Sequence, residues 1–345
     1  MLAELVVAAA VVVLLLGTVF SLVDPARGAL GVQPEIAEMQ QRLRAGFARL
    51  QGDLLLAGSG PHPGLGAPLA QLRAPVISAL VGHRHPATAG TAFTTDAVTV
   101  LYAPPGAAAA ELASAFSGSP GDVPLAPAGD RCRPGVTTCG FEANSLALTF
   151  DAAGRSDMVR VLRVSAGALR LRGVGAGPAQ VFAAGSSIVP LAVRGYYHDR
   201  AAAELRYQDG WLTDAPVLDN VVGMSVRYFG RPAHSANLRA AAVTAPCLAA
   251  ALAADPLPDA GPVLPEEELS AAALADGPWC GGRLLYDVDL FRVRRVRVEL
   301  RLQASAARHR GRDPGLFARP GSARHNLAPD LRGVIEVTPR AAAGY

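Results

Sequence analysis

The sequence predicts an α+β chain in which one long N-terminal helix precedes an enlarged antiparallel β-sheet domain with irregular insertions. Three observations carry this expectation. Residues 1–23, MLAELVVAAAVVVLLLGTVFSLV, are an apolar run holding a single charge, Glu4. Beyond residue 34 apolar residues recur at steps of three or four, the period of an amphipathic helix. From Asp96 the chain becomes short runs of alternating polar and apolar residues between turn residues, the period of half-buried strands.

The first run is long enough for a membrane-spanning helix, because ~20 apolar residues cross the hydrocarbon core of a bilayer. It lacks a basic n-region and a small-x-small cleavage site before Asp24, so it is expected to stay in the mature protein. Residues 24–57 continue the helix, with Ile36, Met39, Leu43, Phe47, Leu50 and Leu54 on one face. Pro25, Gly28, Gly31 and Pro34 weaken the start of this second half, each Pro by ~3 kcal/mol and each Gly by ~1 kcal/mol. A kink or locally unwound stretch is therefore expected at 24–34. Gly58, just past the last periodic residue, is placed to cap the helix.

Residues 58–345 are the β-rich domain. Its strands read as AVTVLY, SLALTF, MVRVLRV, ALRLRG, SIVPLAVRGYYHD, AELRYQDGWLT, VLDNVVGMSVRYFG, RVRRVRVELRLQ and LRGVIEVTP. In the eighth, Val296, Val298, Leu300 and Leu302 alternate with Arg297, Glu299 and Arg301, which makes one face buried and the other wet and rich in arginine. Insertions fall at about 103–144 and 231–283. Glu266, Glu267 and Glu268 suit the first turn of a short helix running to Leu274.

Composition excludes several classes. The net charge is +3, and all 32 basic residues are arginines spread among the acids, so no concentrated basic face for nucleic acid is expected. The Gly-rich GVGAGP at 173–178 leads into a strand rather than a helix, which leaves no helix N-terminus for a phosphate. The histidines His62, His83 and His85 lie in irregular connections and lack a third ligand at a recognised spacing. Asp287 and Asp289 alternate on one strand and would bind calcium only with a third oxygen donor; as a pair they read as solvent-facing. Trp211 and Trp279 sit beside turns. No catalytic motif is present, and neither a cofactor nor a metal is expected. Four cysteines allow three pairings. The local pair Cys132 with Cys139, and Cys247 with Cys280, are favoured because each would staple a segment of little regular structure in an exported domain. A four-Cys zinc site fits the spacing poorly.

Glu4 is the residue that asks for an explanation. An unpaired carboxylate in hydrocarbon costs at least a few kcal/mol, so it calls for a cationic partner, or else sits at headgroup level, where a first-turn acid offsets the helix dipole. Residues 2–58, LAELVVAAAVVVLLLGTVFSLVDPARGALGVQPEIAEMQQRLRAGFARLQGDLLLAG, resemble the N-terminal helix of type IV pilins and pseudopilins, especially the larger minor pilins of the PilW-like type. Leu2, Ala3, Glu4 and Leu5 match the end of the family's Thr-Leu-Ile-Glu-Leu-like run, and Met1 stands where its Thr would be. The leader ending in Gly that prepilin peptidase cleaves, and the Phe after it, are not in this sequence. Residues 192–230 and 287–340 resemble the C-terminal half of the same minor pilins.

The resemblance implies a pilin-like fold and a minor subunit of a type IV pilus-like filament, acting at the tip or in priming and having no enzymatic role. It implies that the subunit is held in the bacterial inner membrane by a single pass, with its C-terminal domain in the periplasm, before it enters an extracellular pilus. Leu2, Glu4 and Leu5 would then serve assembly with other major or minor pilins, Glu4 meeting a neighbour's N-terminal amine. The alternatives are a type II secretion pseudopilin and a signal-anchored periplasmic binding protein or enzyme.

Overall fold

The computed structural model describes residues 2–60, 78–81, 94–127, 140–152, 155–175, 179–210, 212–230, 265–277, 279–280, 286–323 and 327–339, with only the backbone at residues 2, 20–30 and 280. One helix, α1 (Leu2–Leu56), leads into a domain built mostly of antiparallel strands. α1 is 55 residues long and stays helical through Pro25, Gly28, Gly31 and Pro34, so the unwound stretch expected there is absent. The helix stops where sequence places its cap. Gly58 adopts φ +69°, a left-handed conformation that costs glycine little, and its N–H donates to the carbonyl of Leu101 at 2.7 Å.

The strands are β1 (Leu80–Val81), β2 (Ala97–Tyr102), β3 (Ala110–Glu111), β4 (Gly121–Pro124), β5 (Leu146–Phe150), β6 (Ser156–Ser165), β7 (Ala168–Gly173), β8 (Ser187–Asp199), β9 (Glu204–Asp209), β10 (Thr213–Asp219), β11 (Val221–Gly230), β12 (Glu267–Leu269), β13 (Trp279–Cys280), β14 (Tyr286–Asp287), β15 (Val293–Leu302) and β16 (Leu331–Val337). Ten of them form one sheet around β8, in the order β1-β2-β8-β5-β6-β7-β4, with β3 and the β9–β10 hairpin also joined at β8. A separate four-stranded sheet runs β12-β11-β15-β16, and β13 pairs with β14.

The fold class expected from sequence is corrected on these points. The chain is mostly antiparallel sheet and divides it between two main sheets rather than one, so the pilin-like plan is not what the strands make. Among the described residues no helix is long and apolar enough to cross a membrane. Described apolar side chains without packing run over residues 3–19, about 25 Å of helix.

Physical reasons for the two sheets are local. β8 is thirteen residues long, and its first part pairs with β5 while its last part pairs with β9, so the large sheet branches at one strand. Asn220 takes φ +58°, which breaks the run read as VLDNVVGMSVRYFG and sends β11 into the other sheet. The acidic run at 266–268 is not helical. Glu267 and Glu268 lie in β12, where Arg295 holds Glu266 at 3.2 Å and Arg292 and Arg227 stand 3.8 and 3.9 Å from Glu267 and Glu268.

The main core lies where α1 meets both sheets. Leu43, Leu50 and Leu54 from the helix, with Ala57 just after it, join Val98, Val100 and Tyr196 of the large sheet and Val226, Val296 and Val298 of the small one. Side-chain bonds tie the sheets directly: the Tyr228 hydroxyl donates to the Ala97 carbonyl at 3.4 Å, and a His198 ring nitrogen meets the Val221 carbonyl at 2.9 Å. The Val226 N–H donates to the Thr95 carbonyl, just before β2, at 2.6 Å. A second core, with Phe116, Phe141, Phe182 and Val159, fills the space beyond β5, β6 and β7.

Asp53 locks the end of the helix to the large sheet. Its two carboxylate oxygens accept from the Tyr102 hydroxyl at 2.8 Å and the Tyr196 hydroxyl at 2.5 Å. Burial, reinforced by this carboxylate, pushes Tyr102 up to about 12 and Tyr196 higher still. Both phenols therefore stay protonated as donors. Asp53→Ala is expected to cost about 3 kcal/mol in urea unfolding, because two buried hydroxyls lose a charged acceptor. In a double-mutant cycle with Tyr196→Phe the losses are expected to be clearly less than additive.

Candidate assembly interface

α1 has two halves with opposite surroundings. Every described side chain from 3 to 19 is exposed. Leu5 shows 73 % of its surface, Val13 68 % and Leu14 70 %, values that belong to a helix with no partner in the isolated chain. The first buried residue among the described side chains is Val32, and beyond it Met39, Leu43, Leu50 and Leu54 form the buried stripe. Ile36 and Phe47, on the same face, are partly buried. A patch of this extent exceeds what water-exposed surfaces normally carry and marks an interaction site.

The proposed assembly residues fall at the free end. Leu2 is helical, Glu4 lies in the first turn with its side chain exposed, and Leu5 is exposed. An acid in the first turn suits the positive end of the helix dipole. Of the four positions expected to weaken the helix, Pro25, Gly28 and Gly31 precede Val32, the first described buried residue, and Pro34 follows it. At Gly31 an added Cβ would meet nothing within 4 Å, so the helix is uncovered there.

The buried half is gripped at three levels. Nearest the exposed half, Ala304 and Ala328 pack against Val32 and Met39. At the same level the Glu35 carboxylate accepts from the Ser305 N–H at 2.6 Å and the Ser305 hydroxyl at 2.9 Å, with His309 at 3.6 Å and Arg42 at 3.8 Å. Burial raises the Glu35 carboxyl, but the Ser305 bonds and the two nearby basic groups outweigh it and hold the group below its ordinary value of 4.5. In the middle, Gly333 of β16 leaves room for Leu43 and Phe47; a Cβ there would fall 2.7 and 2.5 Å from them. At the far end stands Asp53, with Arg49 stacked 4.2 Å over the Tyr207 ring.

One other group has the spacing of a metal site. Among the described residues, carboxylates of Asp276, Asp287 and Asp289 come within 4.8 Å of one another. The expectation of a solvent-facing aspartate pair is corrected here, since Asp287 is 1 % exposed. Its oxygens accept from the Gly277 N–H at 2.6 Å and the Asp289 N–H at 2.9 Å, which caps a 3₁₀ turn at Val288–Arg292. Arg292 meets Asp289 at 3.1 Å. Burial raises the Asp287 carboxyl, the two N–H donors oppose this, and Asp289 and Asp276 add to it. The third donor, Asp276, comes from the segment before β13, and no local spacing in the sequence announces it.

Other expected features are scattered or lie elsewhere. Trp279 is half exposed on β13, away from α1 in the chain. His62, His83, His85, Trp211, Cys132, Cys139 and Cys247 lie outside the described residues, and so does any disulfide formed by them. No family model, curated protein or solved structure matches the chain.

Two pH responses follow. A lowered carboxyl stabilises the fold above its unfolded value and loses that contribution as pH falls through its folded value. The stability advantage of the native chain over Glu35→Gln, read from urea midpoints, is therefore expected to be full at neutral pH and to vanish as pH drops below 4.5. Asp287 has the opposite sign: ionising a raised carboxyl costs stability as pH rises from 3.8 through its folded value. Asp276→Asn removes one repelling charge and is expected to flatten that loss in the same titration.

Proposed function

We propose that this chain is a minor subunit of a type IV pilus-like filament and enters it by packing the exposed half of α1 among like helices. The observation that carries this is the uncovered apolar surface of residues 3–19, fixed rigidly to a folded β domain by the buried half of the same helix. Such a surface needs an apolar environment, because leaving it in water forfeits about 25 cal/mol for each Å². Before assembly, lipid of the bacterial inner membrane covers it while the β domain stands on the periplasmic side. In the filament, neighbouring helices replace lipid, and side-chain packing replaces chain contacts. The resemblance of residues 2–58 to pilin helices supports this choice over a simple tether.

In this reading Glu4 pairs with an amine at the N-terminus of the adjacent subunit. A buried carboxylate left without that partner costs several kcal/mol. The bulk of the two-sheet domain favours a place at the tip or in priming, since a close helical array leaves little room around each subunit.

Glu4→Ala separates this function from that of a tethered enzyme or binding protein. The variant is expected to keep the urea midpoint of its β domain and its membrane fraction while disappearing from sheared filaments, on the order of 10-fold or more by immunoblot. Normal incorporation of the variant would sink the assembly role. Immunogold labelling is expected at filament ends; regular labelling along the shaft would remove the tip assignment.

A further inference from the structure

The segment that grips α1 at Glu35 also carries arginines bonded to neutral acceptors: Arg308 Nε donates to the His309 ring at 3.3 Å, and Arg319 donates to the Arg200 carbonyl at 3.1 Å. This segment leaves β15 at Leu302 and returns at Leu331, anchored on the helix by Ala304, Ser305 and Ala328. Between these anchors Arg308, Arg312 and Arg319 are exposed, and among the described residues none of the three meets a carboxylate within salt-bridge distance. Several arginines on the strands do meet acids: Arg163 and Arg170 share Asp122, and Arg206 lies between Glu204 and Asp214. Of the segment's own acids, Asp313 is tied to the Gly315 N–H at 2.8 Å, and Asp330 is buried against Arg301.

The same segment exposes two leucines. Leu316 shows 46 % and Leu327 37 % of its surface, beside the arginines in the chain. Exposed aliphatic side chains among arginines that meet no described carboxylate, at the end of the domain where an apolar helix emerges, are the chemistry of a bilayer interface.

We propose that this rim docks on the anionic headgroup surface of a lipid bilayer, with Arg308, Arg312 and Arg319 on phosphates and Leu316 and Leu327 entering the interface. The inference rests on the reading that the exposed half of α1 lies in lipid before assembly. Guanidinium forks match phosphate oxygens in pairs, which favours arginine in this role. The spacing is suitable. From Val23, where the apolar run ends, to Val32, the first buried residue among the described side chains, is about 14 Å of helix. A headgroup layer of about 5 to 8 Å and the reach of extended arginines fill that distance. Docking there would hold the domain upright on the membrane and release it when the helix leaves lipid.

The test is a vesicle competition with the full chain. Protein in detergent is mixed with equal amounts of neutral phosphatidylcholine vesicles and vesicles containing one third phosphatidylglycerol, detergent is removed, and the two populations are separated by flotation. At about 1 kcal/mol for each basic residue near an anionic surface, three arginines are expected to favour the anionic population by roughly 100-fold. R308Q/R312Q/R319Q is expected to distribute nearly evenly with the total floated unchanged, and high salt is expected to abolish the preference of the native chain without any substitution. Equal distribution of the native chain, or a preference that survives in the triple variant or in salt, overturns the rim alone. If neither vesicle population carries the protein, the lipid reading of α1 fails, and the rim fails with it.

Discussion

Asp53 takes hydroxyl hydrogens from strands β2 and β8 of the large sheet, and Gly333 brings Leu43 and Phe47 against the backbone of β16 in the small one. Between these two contacts the helix has no freedom to roll or slide. One is polar and directional: two buried phenols converge on a single charge, an arrangement that loses most of its worth if the carboxylate moves by an ångström. The other is steric, and works only because one strand residue has no side chain. Both sheets take their positions from the same helix, and the bonds from Tyr228 and His198 close the arrangement without it. The direction in which the exposed half of α1 leaves the domain follows from these contacts.

Much of this was legible from residue pattern, and the exceptions have identifiable causes. Val296, Val298, Leu300 and Leu302 are all fully buried, as strict alternation along one strand required. Met39, Leu43, Leu50 and Leu54 follow the helical period for the same kind of reason, because a buried stripe leaves its spacing in the sequence. Local pattern says little about which sheet a strand joins. A single left-handed Asn220 decides that for β11, and asparagine tolerates the conformation without advertising it. On local pattern the acidic residues 266–268 suit a helix start, but their arginine partners lie tens of residues away, on β11 and β15. The burial of Asp287 leaves no local mark because its backbone donor at Gly277 comes from a different segment.

The helix through Pro25 and Pro34 shows a related limit of local propensity. Each proline removes one N–H and crowds the preceding turn, which predicts a break when the segment is considered alone. Yet the helix beyond Val32 is fixed by tertiary contacts, and the segment before residue 20 has strong helix-forming continuity. Order on both sides limits what the intervening residues can gain by unwinding. The same partition is why the proposed assembly surface lies in the first half: residues that bury nothing within the chain are free to bury something outside it.

If the chain enters a filament as proposed, a pulling load on it reaches the domain through α1. At the grip, that load meets side chains interleaved along the helix axis at Glu35, Leu43, Phe47 and Asp53, so the contacts resist sliding in parallel rather than opening one after another. Sliding would require the Ser305 bonds, the close approach at Gly333 and the paired tyrosines to fail together, and the rate of forced unfolding is set by that combined barrier. The close seating of one helix on two sheets thus makes the domain a mechanical coupling, stiff along the axis on which a retracting fibre would draw it.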